Sequence, residues 1–324
     1  MADLSVKYLG LNLSSPIIVA AGPKTSSIED LKKAEKAGAG AVVLKSLFQE
    51  QIENEVNASY DKNSEFLVGA GSDHYGAYHA DYIINKYMKL LKEAKEQLSI
   101  PVIASICCKS LDSWAEYAKR FITCGADAVE LDYYPIASNA EKDGKYVDKT
   151  LFEFAKFARK NISCPVVLKI GKQYSSIANV LSTLDSLKID GAVLFNKFYS
   201  PDIDIEKLKF VSGPMLSGAH DYSDTLRWIA LSSGEVKMDL CANTGIHDAN
   251  TVIKMLLSGA KAVEVCSVVI QQGFEAIEKM NNGLSDWMDA KGYKHISDFD
   301  GILAQEKHSE GYNWERTQFL KTIE

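Results

Sequence analysis

The sequence predicts an α/β fold, a parallel (β/α)8 (TIM) barrel, on three observations. Short apolar segments recur in two interleaved sets of four, helical patterns fill the gaps, and Gly-Ala turns mark where helices return to strands. Strand–helix alternation of this kind builds a parallel sheet clothed in helices. A doubly wound open sheet alternates in the same way, but four near-equal quarter repeats suit closure better. No Pro/Gly/Ser linker divides the 324 residues, so 1–324 reads as one domain with a helical extension over about 287–324.

In chain order, Pro16–Ala20 is the first strand and opens with proline, which a strand tolerates at its first residue. Ser27–Ala37 follows as a helix, and Gly38 ends it where a left-handed residue costs little. Gly40–Leu44 is the second strand. Helix Tyr82–Leu98, strand Pro101–Ser105, helix Leu111–Cys124 and strand Asp127–Leu131 continue the pattern. Helix Lys149–Asn161, strand Pro165–Lys169, helix Ser175–Leu187 and strand Gly191–Phe195 repeat it. Helix Tyr222–Ser232, strand Met238–Ala242, helix Asp248–Ser258 and strand Lys261–Val265 complete the eight. The strands are rich in apolar and β-branched residues, as parallel strands covered on both faces should be. Two insertions, Leu47–Ala80 after the second strand and Phe198–Gly218 after the sixth, read as long lids or binding loops.

Composition excludes several classes. With 46% hydrophobic and 24% charged residues the chain is an ordinary globular mixture, and its net charge of −7 offers no general attraction for nucleic acid or anionic membrane. The uncharged stretch Tyr8–Pro23 is too short and too polar to span a bilayer. Met1-Ala2-Asp3 lacks the basic and apolar regions of an export signal, so a cytoplasmic protein is expected. Cys107, Cys108, Cys124, Cys164, Cys241 and Cys266 form no C-x-x-C pair and read as reduced thiols.

In barrels of this kind the chemistry sits where strands end and βα loops begin. Those ends carry Ala21-Gly22, Lys45-Ser46, Ser105, Asp132-Tyr133-Tyr134, Lys169, Asn196-Lys197, Asn243-Thr244-Gly245 and Cys266-Ser267. Three lysines among them imply an anionic occupant, since unpaired ammonium groups in a pocket are costly. Thr244-Gly245 and Cys266-Ser267 each precede a helical run, the arrangement of a phosphate cradle after the seventh and eighth strands. Lys169, between Leu168 and Ile170, can form a Schiff base or stay charged beside an electron-rich ring. Spacing alone does not choose. Gly69-x-Gly71 has His74 where a dinucleotide fingerprint needs glycine, and His74 and His79 with Asp73 and Asp81 have poor ligand spacing, so no metal is expected. His247 reads as a helix-start residue.

Leu9–Pro23 resembles the opening of the class 1 dihydroorotate dehydrogenases, FMN-dependent barrel enzymes. The resemblance continues in order at Lys45-Ser46, Val129–Asp132, Leu168-Lys169, Asn196, Thr244–Ile246 and Cys266-Ser267. Asn196–Asp204 is similar to a branch described as dihydroorotate dehydrogenase-like. It implies that Ala20, Ala21 and Gly22 back the isoalloxazine ring, that Lys45, Ser46 and Asp132 contact the flavin, and that Lys169 sits near N1 and O2. A cation there stabilises the reduced ring. Gly218, Thr244, Gly245, Cys266 and Ser267 are implied around the ribityl phosphate, and Lys45, Asn196 and Lys197 around the substrate.

The departures fall on the substrate side. The family's Glu-Leu-Asn is followed by a short run holding a catalytic Cys or Ser and then Pro-Asn. Here Glu130-Leu131-Asp132-Tyr133-Tyr134-Pro135-Ile136 places Tyr134 at the base position when the prolines align, and Ser138 is the one serine of that loop. Tyr134, Ser138 and Lys169 are therefore the expected catalytic residues. Asp132 replaces a substrate-gripping asparagine, and Lys197 stands where a small hydroxyl residue is usual. A neutral tyrosine gives a proton more readily than it takes one, which suits the reductive direction.

The resemblance implies an FMN-dependent oxidoreductase acting on a CH–CH bond, nominally dihydroorotate to orotate in pyrimidine biosynthesis. A sibling flavoprotein with another small anionic substrate, a lysine-dependent aldolase or isomerase and a non-catalytic binding barrel are its alternatives. The expected partners are a small anionic substrate and an electron acceptor that the sequence does not identify. A homodimer stays open, and neither nucleic acid nor membrane is expected.

Overall fold

An antiparallel hairpin, β1 (Val6–Tyr8) with β2 (Leu11–Leu13), precedes the main sheet. The computed structural model describes residues 2–56, 72–107, 111–197, 200–307 and 314–315, without the side chains of 72–79 and 112. The barrel strands are β3 (Ile17–Val19), β4 (Ala41–Val43), β6 (Val102–Cys107), β7 (Ala128–Tyr133), β8 (Val166–Ile170), β9 (Gly191–Leu194), β12 (Asp239–Asn243) and β13 (Ala262–Val265). Their order is β4-β3-β13-β12-β9-β8-β7-β6, all parallel, and β4 pairs with β6 to close the ring. A short β5 (Leu47–Phe48) prolongs the β4 side of that seam along β6. All eight predicted strands are found.

Around the sheet lie α1 (Ile28–Lys36), α2 (residues 49–56), α3 (Ser72–Gln97), α4 (Leu111–Thr123), α5 (Gly144–Asn161) and α6 (Ile177–Ser186). They are followed by α7 (Ser223–Ser232), α8 (Ala249–Leu257), α9 (Ser267–Gln272) and α10 (Glu275–Lys291). Ser27, Asp143, Ser176 and Asp248 cap their helices by accepting the N–H of the third helical residue. The quarter repeat has a physical counterpart at the strand starts. Asp127 accepts the N–H of Val102 (2.7 Å) and the Lys95 ammonium (2.5 Å), while Asp190 accepts the N–H of Val166 (2.8 Å) and Arg159 (2.6 Å).

Two cores result. The larger lies between sheet and helices, where Leu31, Leu91, Phe121, Leu181 and Leu256 are fully buried. The smaller lies inside the barrel, where Tyr8, Leu9 and Leu13 of the hairpin pack on Ile18, Val43, Ile103, Val167 and Val193. The Leu9 N–H donates to the Asp239 carboxylate at the start of β12 (2.7 Å), so the hairpin stops the N-terminal mouth of the barrel. The open end is therefore the C-terminal one.

Both insertions carry more structure than loops. After β4 come β5 and α2, and α3 begins at Ser72 rather than at Tyr82. The helix runs through Gly76, a residue that weakens a helix without ending it. Residues 57–71, with Gly69 and Gly71, lie outside the described residues, as do the side chains of Asp73, His74 and His79. After β9, β10 (Pro201–Asp204) and β11 (Lys209–Ser212) form an exposed antiparallel hairpin. Among the described residues of the predicted extension, the α-helix covers its start. Gly292, left-handed at φ 78°, ends α10, and 3-10 turns at Ile296–Asp298 and Gln305–Lys307 follow. Trp287, Tyr293 and Phe299 pack their rings there. No helix among the described residues is long and apolar enough to cross a membrane.

Candidate active site

One cavity of about 450 Å³ opens among the C-terminal strand ends, within the size range of small-molecule and cofactor sites. Ala20, Ala21 and Gly22 enter from the end of β3, Lys45 and Ser46 from β4, and Asn196 and Lys197 from β9. Gly22 has no room for a side chain, since a Cβ there would stand 2.7 Å from Cys266 Sγ. Ser46 Oγ lies 2.8 Å from Ser105 Oγ, and the Tyr87 hydroxyl accepts the Ser105 N–H (3.0 Å), so α3 braces this wall.

The floor is charged. Lys169, on β8, is only 4% exposed, and its ammonium lies 2.6 Å from Glu264 Oε2 and 3.6 Å from Glu130 Oε1. Burial alone would depress it, but Glu130, Glu264 and Asp132 together raise it above the ordinary lysine value. Its short ion pair with Glu264 favours the ammonium, the wrong form for an amine nucleophile. Asp132, at the end of β7, accepts a hydrogen bond from Asn196 Nδ2. Burial pushes its carboxyl up to about 6, against the pull of Lys169 and that hydrogen bond. Cys266 also lines the cavity, and burial raises its thiol, which keeps it protonated.

A polar corner forms where β12 and β13 end. The Ser217 N–H donates to Ser267 Oγ (2.9 Å), and Ser217 Oγ lies 3.0 Å from Ser267 Oγ and 3.3 Å from His247 Nε2. The Gly245 N–H donates to Ser217 Oγ (3.2 Å). Thr244 and Gly245 are both left-handed, at φ 80° and 77°. For threonine that conformation is strained, of order 1–3 kcal/mol, and its hydroxyl bond to the Phe195 carbonyl (2.8 Å) helps to hold it. At Gly245 a Cβ would stand 2.3 Å from the Tyr222 nitrogen, so glycine is obligatory.

The chain matches the family model described as dihydroorotate dehydrogenase over residues 3–288. It belongs to the dihydroorotate dehydrogenase family. Relatives include the catalytic subunit of dihydroorotate dehydrogenase B (NAD(+)) from Pyrococcus horikoshii, 24% identical over 92% of this chain and 97% of the relative. The corresponding subunit from Thermoplasma acidophilum is 23% identical over 93% and 99%. The NAD-dependent dihydropyrimidine dehydrogenase subunit PreA of Escherichia coli K12 is 23% identical over 93% of this chain and 76% of its own length. The relatives are dehydrogenases, and the chain stands among oxidoreductases.

Within this family member the residues read as flavin-contacting mostly converge: Ala20, Ala21, Gly22, Lys45, Ser46, Asp132, Lys169, Thr244, Gly245, Cys266 and Ser267 all line the cavity. Gly218 does not; it is exposed, and its N–H is bonded to Asp221 Oδ2 (3.0 Å). Lys197 lines the cavity with its ammonium 3.5 Å from Asp221. Neither Tyr134 nor Ser138 does: the Tyr134 ring packs beside Gly171, and Ser138 is exposed. Several residues of the site escaped sequence reasoning, among them Phe48, Gln51, Met215 and Leu216 of the cavity wall. Ser217 lies inside an insertion without a motif, and His247 has a contact in the polar corner besides its place before α8. Glu130 and Glu264 were legible only as strand residues, although their alternation with Ile18-facing positions could have placed them inside.

Proposed function

We propose that the chain is an FMN-dependent oxidoreductase acting on a CH–CH bond of a small anionic substrate, with dihydroorotate as the nominal one. The residues suit FMN on three counts: a glycine in the cavity wall, Gly22, where a Cβ would collide with Cys266 Sγ, a fixed ammonium at Lys169, and a hydroxyl and N–H corner at Ser217, Gly245 and Ser267. Bound there, FMN supplies hydride chemistry. Ala20, Ala21 and Gly22 would back its ring, Lys169 would favour its reduced, anionic form, and the corner with Thr244 and Cys266 would hold its phosphate. Lys45, Asn196 and Lys197 would face the substrate. The observation carrying the reading is Lys169, whose close ion pair with Glu264 keeps it charged, which suits electrostatic support of a ring and opposes Schiff-base chemistry.

The proposed proton-transfer residues are Tyr134 and Ser138, on the loop between β7 and α5 that borders Asp132. Asp132 itself favours a second reading, a sibling flavoprotein with a different substrate, because a carboxylate next to Asn196 prefers a substrate N–H to a substrate carboxylate. The electron acceptor is proposed to come from another protein, as the relatives named as subunits suggest.

The test begins with colour. The purified protein is expected to be yellow, and acid release with chromatography to yield FMN rather than FAD. A colourless protein that FMN does not reconstitute refutes the cofactor. Anaerobic flavin reduction by dihydroorotate and by dihydrouracil then separates the two substrate readings. Tyr134→Phe and Ser138→Ala assign the proton: a rate unchanged in both variants removes these residues from the reaction.

A further inference from the structure

Three buried carboxyls and one buried ammonium share the barrel interior beneath the cavity. Glu130 and Asp132 come from β7, Lys169 from β8 and Glu264 from β13. Alternate residues of a strand share a face, which puts Glu130 and Asp132 on the same side of β7. Glu264 and Lys169 make the short, charge-assisted pair at 2.6 Å. Glu130 is placed differently. Its Oε1 accepts a long hydrogen bond from Ser105 Oγ (3.4 Å) and lies 3.6 Å from the Lys169 ammonium. Its Oε2 is sealed from solvent with no donor among the described residues, and the Glu130 carboxyl is within hydrogen-bonding reach of the Glu264 carboxyl. An ionised carboxylate left in that state is heavily penalised, and a second carboxylate on the same ammonium adds repulsion.

We propose that Glu130 and Glu264 share one proton, carried by Glu130, and that Glu264 is the positioning residue holding the Lys169 ammonium beneath the cavity. The electrostatics agree with the geometry: burial first, then the Glu264 charge, push the Glu130 carboxyl well up. The other titratable groups interacting with the pair are Asp132, Tyr8 of β1, Tyr87 of α3, Cys241 of β12 and Cys266 after β13. Burial raises both tyrosines and both thiols, so they stay neutral and add no charge. Lys169 and Glu264 then cancel, and among these buried groups the net charge is left to Asp132. The floor is neutral below about pH 6, where Asp132 takes its proton, and carries one negative charge above it. The proton on Glu130 stands independently of the flavin reading; only the purpose of holding Lys169 against a ring rests on it.

Infrared spectroscopy of the flavin-free protein tests this without turnover. At pH 8 the wild type is expected to show the carbonyl stretch of one protonated, buried carboxyl that shifts on 13C-glutamate labelling and is missing from Glu130→Gln. In Glu264→Gln the same band is expected to vanish, because Glu130 must then ionise to balance Lys169. The labelled wild type supplies the first result even if Glu130→Gln does not fold. A labelled wild type with no such band at pH 8 overturns the proposal, and a band surviving in Glu264→Gln overturns the sharing. A protein that never binds FMN yields the same spectra, so failure of the cofactor reading and failure of this one are distinguishable.

Discussion

Replacing Asp132 by asparagine is expected to stabilise the folded chain above pH 6 and to do little near pH 4. Asp132 is 7% exposed, and burial raises its carboxyl from 3.8 to about 6. The folded state therefore binds the proton more tightly than the unfolded chain does. Folding takes up a proton between those two values, so stability falls as pH rises through that window and reaches its lower level above pH 6. At about 1.36 kcal/mol for each tenfold change in acidity, ionised Asp132 withholds about 3 kcal/mol from the fold. Asparagine keeps an oxygen for Asn196 Nδ2 and carries no charge to bury. Urea unfolding of wild type and Asp132→Asn at pH 4, 5, 6 and 8, with matching m-values, measures the difference. A gain equal at pH 4 and pH 8 would assign the effect to packing. A loss at pH 8 would mean that Lys169 needs the carboxylate, and either result refutes the reasoning.

Lys169→Met leaves the Glu264 carboxylate without its cation, and a loss of about 3–5 kcal/mol is expected at pH 8 in urea unfolding. In the FMN-loaded variant a potentiometric titration is expected to give a lower flavin potential. Gly245→Ala combines a left-handed backbone with a 2.3 Å contact to the Tyr222 nitrogen, and is expected to destabilise and to release FMN on gel filtration. Gly22→Ala is expected to impair FMN retention through its contact with Cys266, and Cys266→Ala in the same chain to restore it. A double-mutant cycle of FMN dissociation constants reads that coupling. Phe210, 84% exposed on β11, is expected to accept serine with a change within about 0.5 kcal/mol in urea unfolding.

The barrel was legible because parallel strands covered on both faces read as apolar runs, and because prolines and Gly-Ala turns punctuate them. Pro101 and Pro165 stand one residue ahead of β6 and β8, and Gly125 and Gly259 stand in the turns that lead back to β7 and β13. The hairpin of β10 and β11 was not legible, since its Ile203 and Phe210 are exposed and no buried face imposes an alternation. The start of α3 was missed because glycine at position 76 resembles a breaker. In the site, glycine and hydroxyl residues at strand ends carried a recognisable pattern, and most of the residues read from it line one cavity. Tyr134 was read from the alignment of Pro135 with a family proline, and sequence order says nothing of a ring turned toward Gly171. Glu130 and Glu264 were hidden for the same reason that the strands were visible: a strand buried on both faces does not reveal which one lines the barrel.

The pairing of β3 with β13 joins the first barrel strand to the last, through Ile17 with Val263 and Val19 with Val265. Asn281 on α10 reinforces that seam by donating to the Gly38 carbonyl 243 residues earlier (2.8 Å) and by accepting from the Ser15 hydroxyl (2.7 Å). Closing a loop of that length carries an entropic penalty of about 5 kcal/mol, which only the completed ring repays. During synthesis the first strand must wait with one edge unpaired until nearly the whole barrel has emerged, a period in which it can pair with another nascent chain.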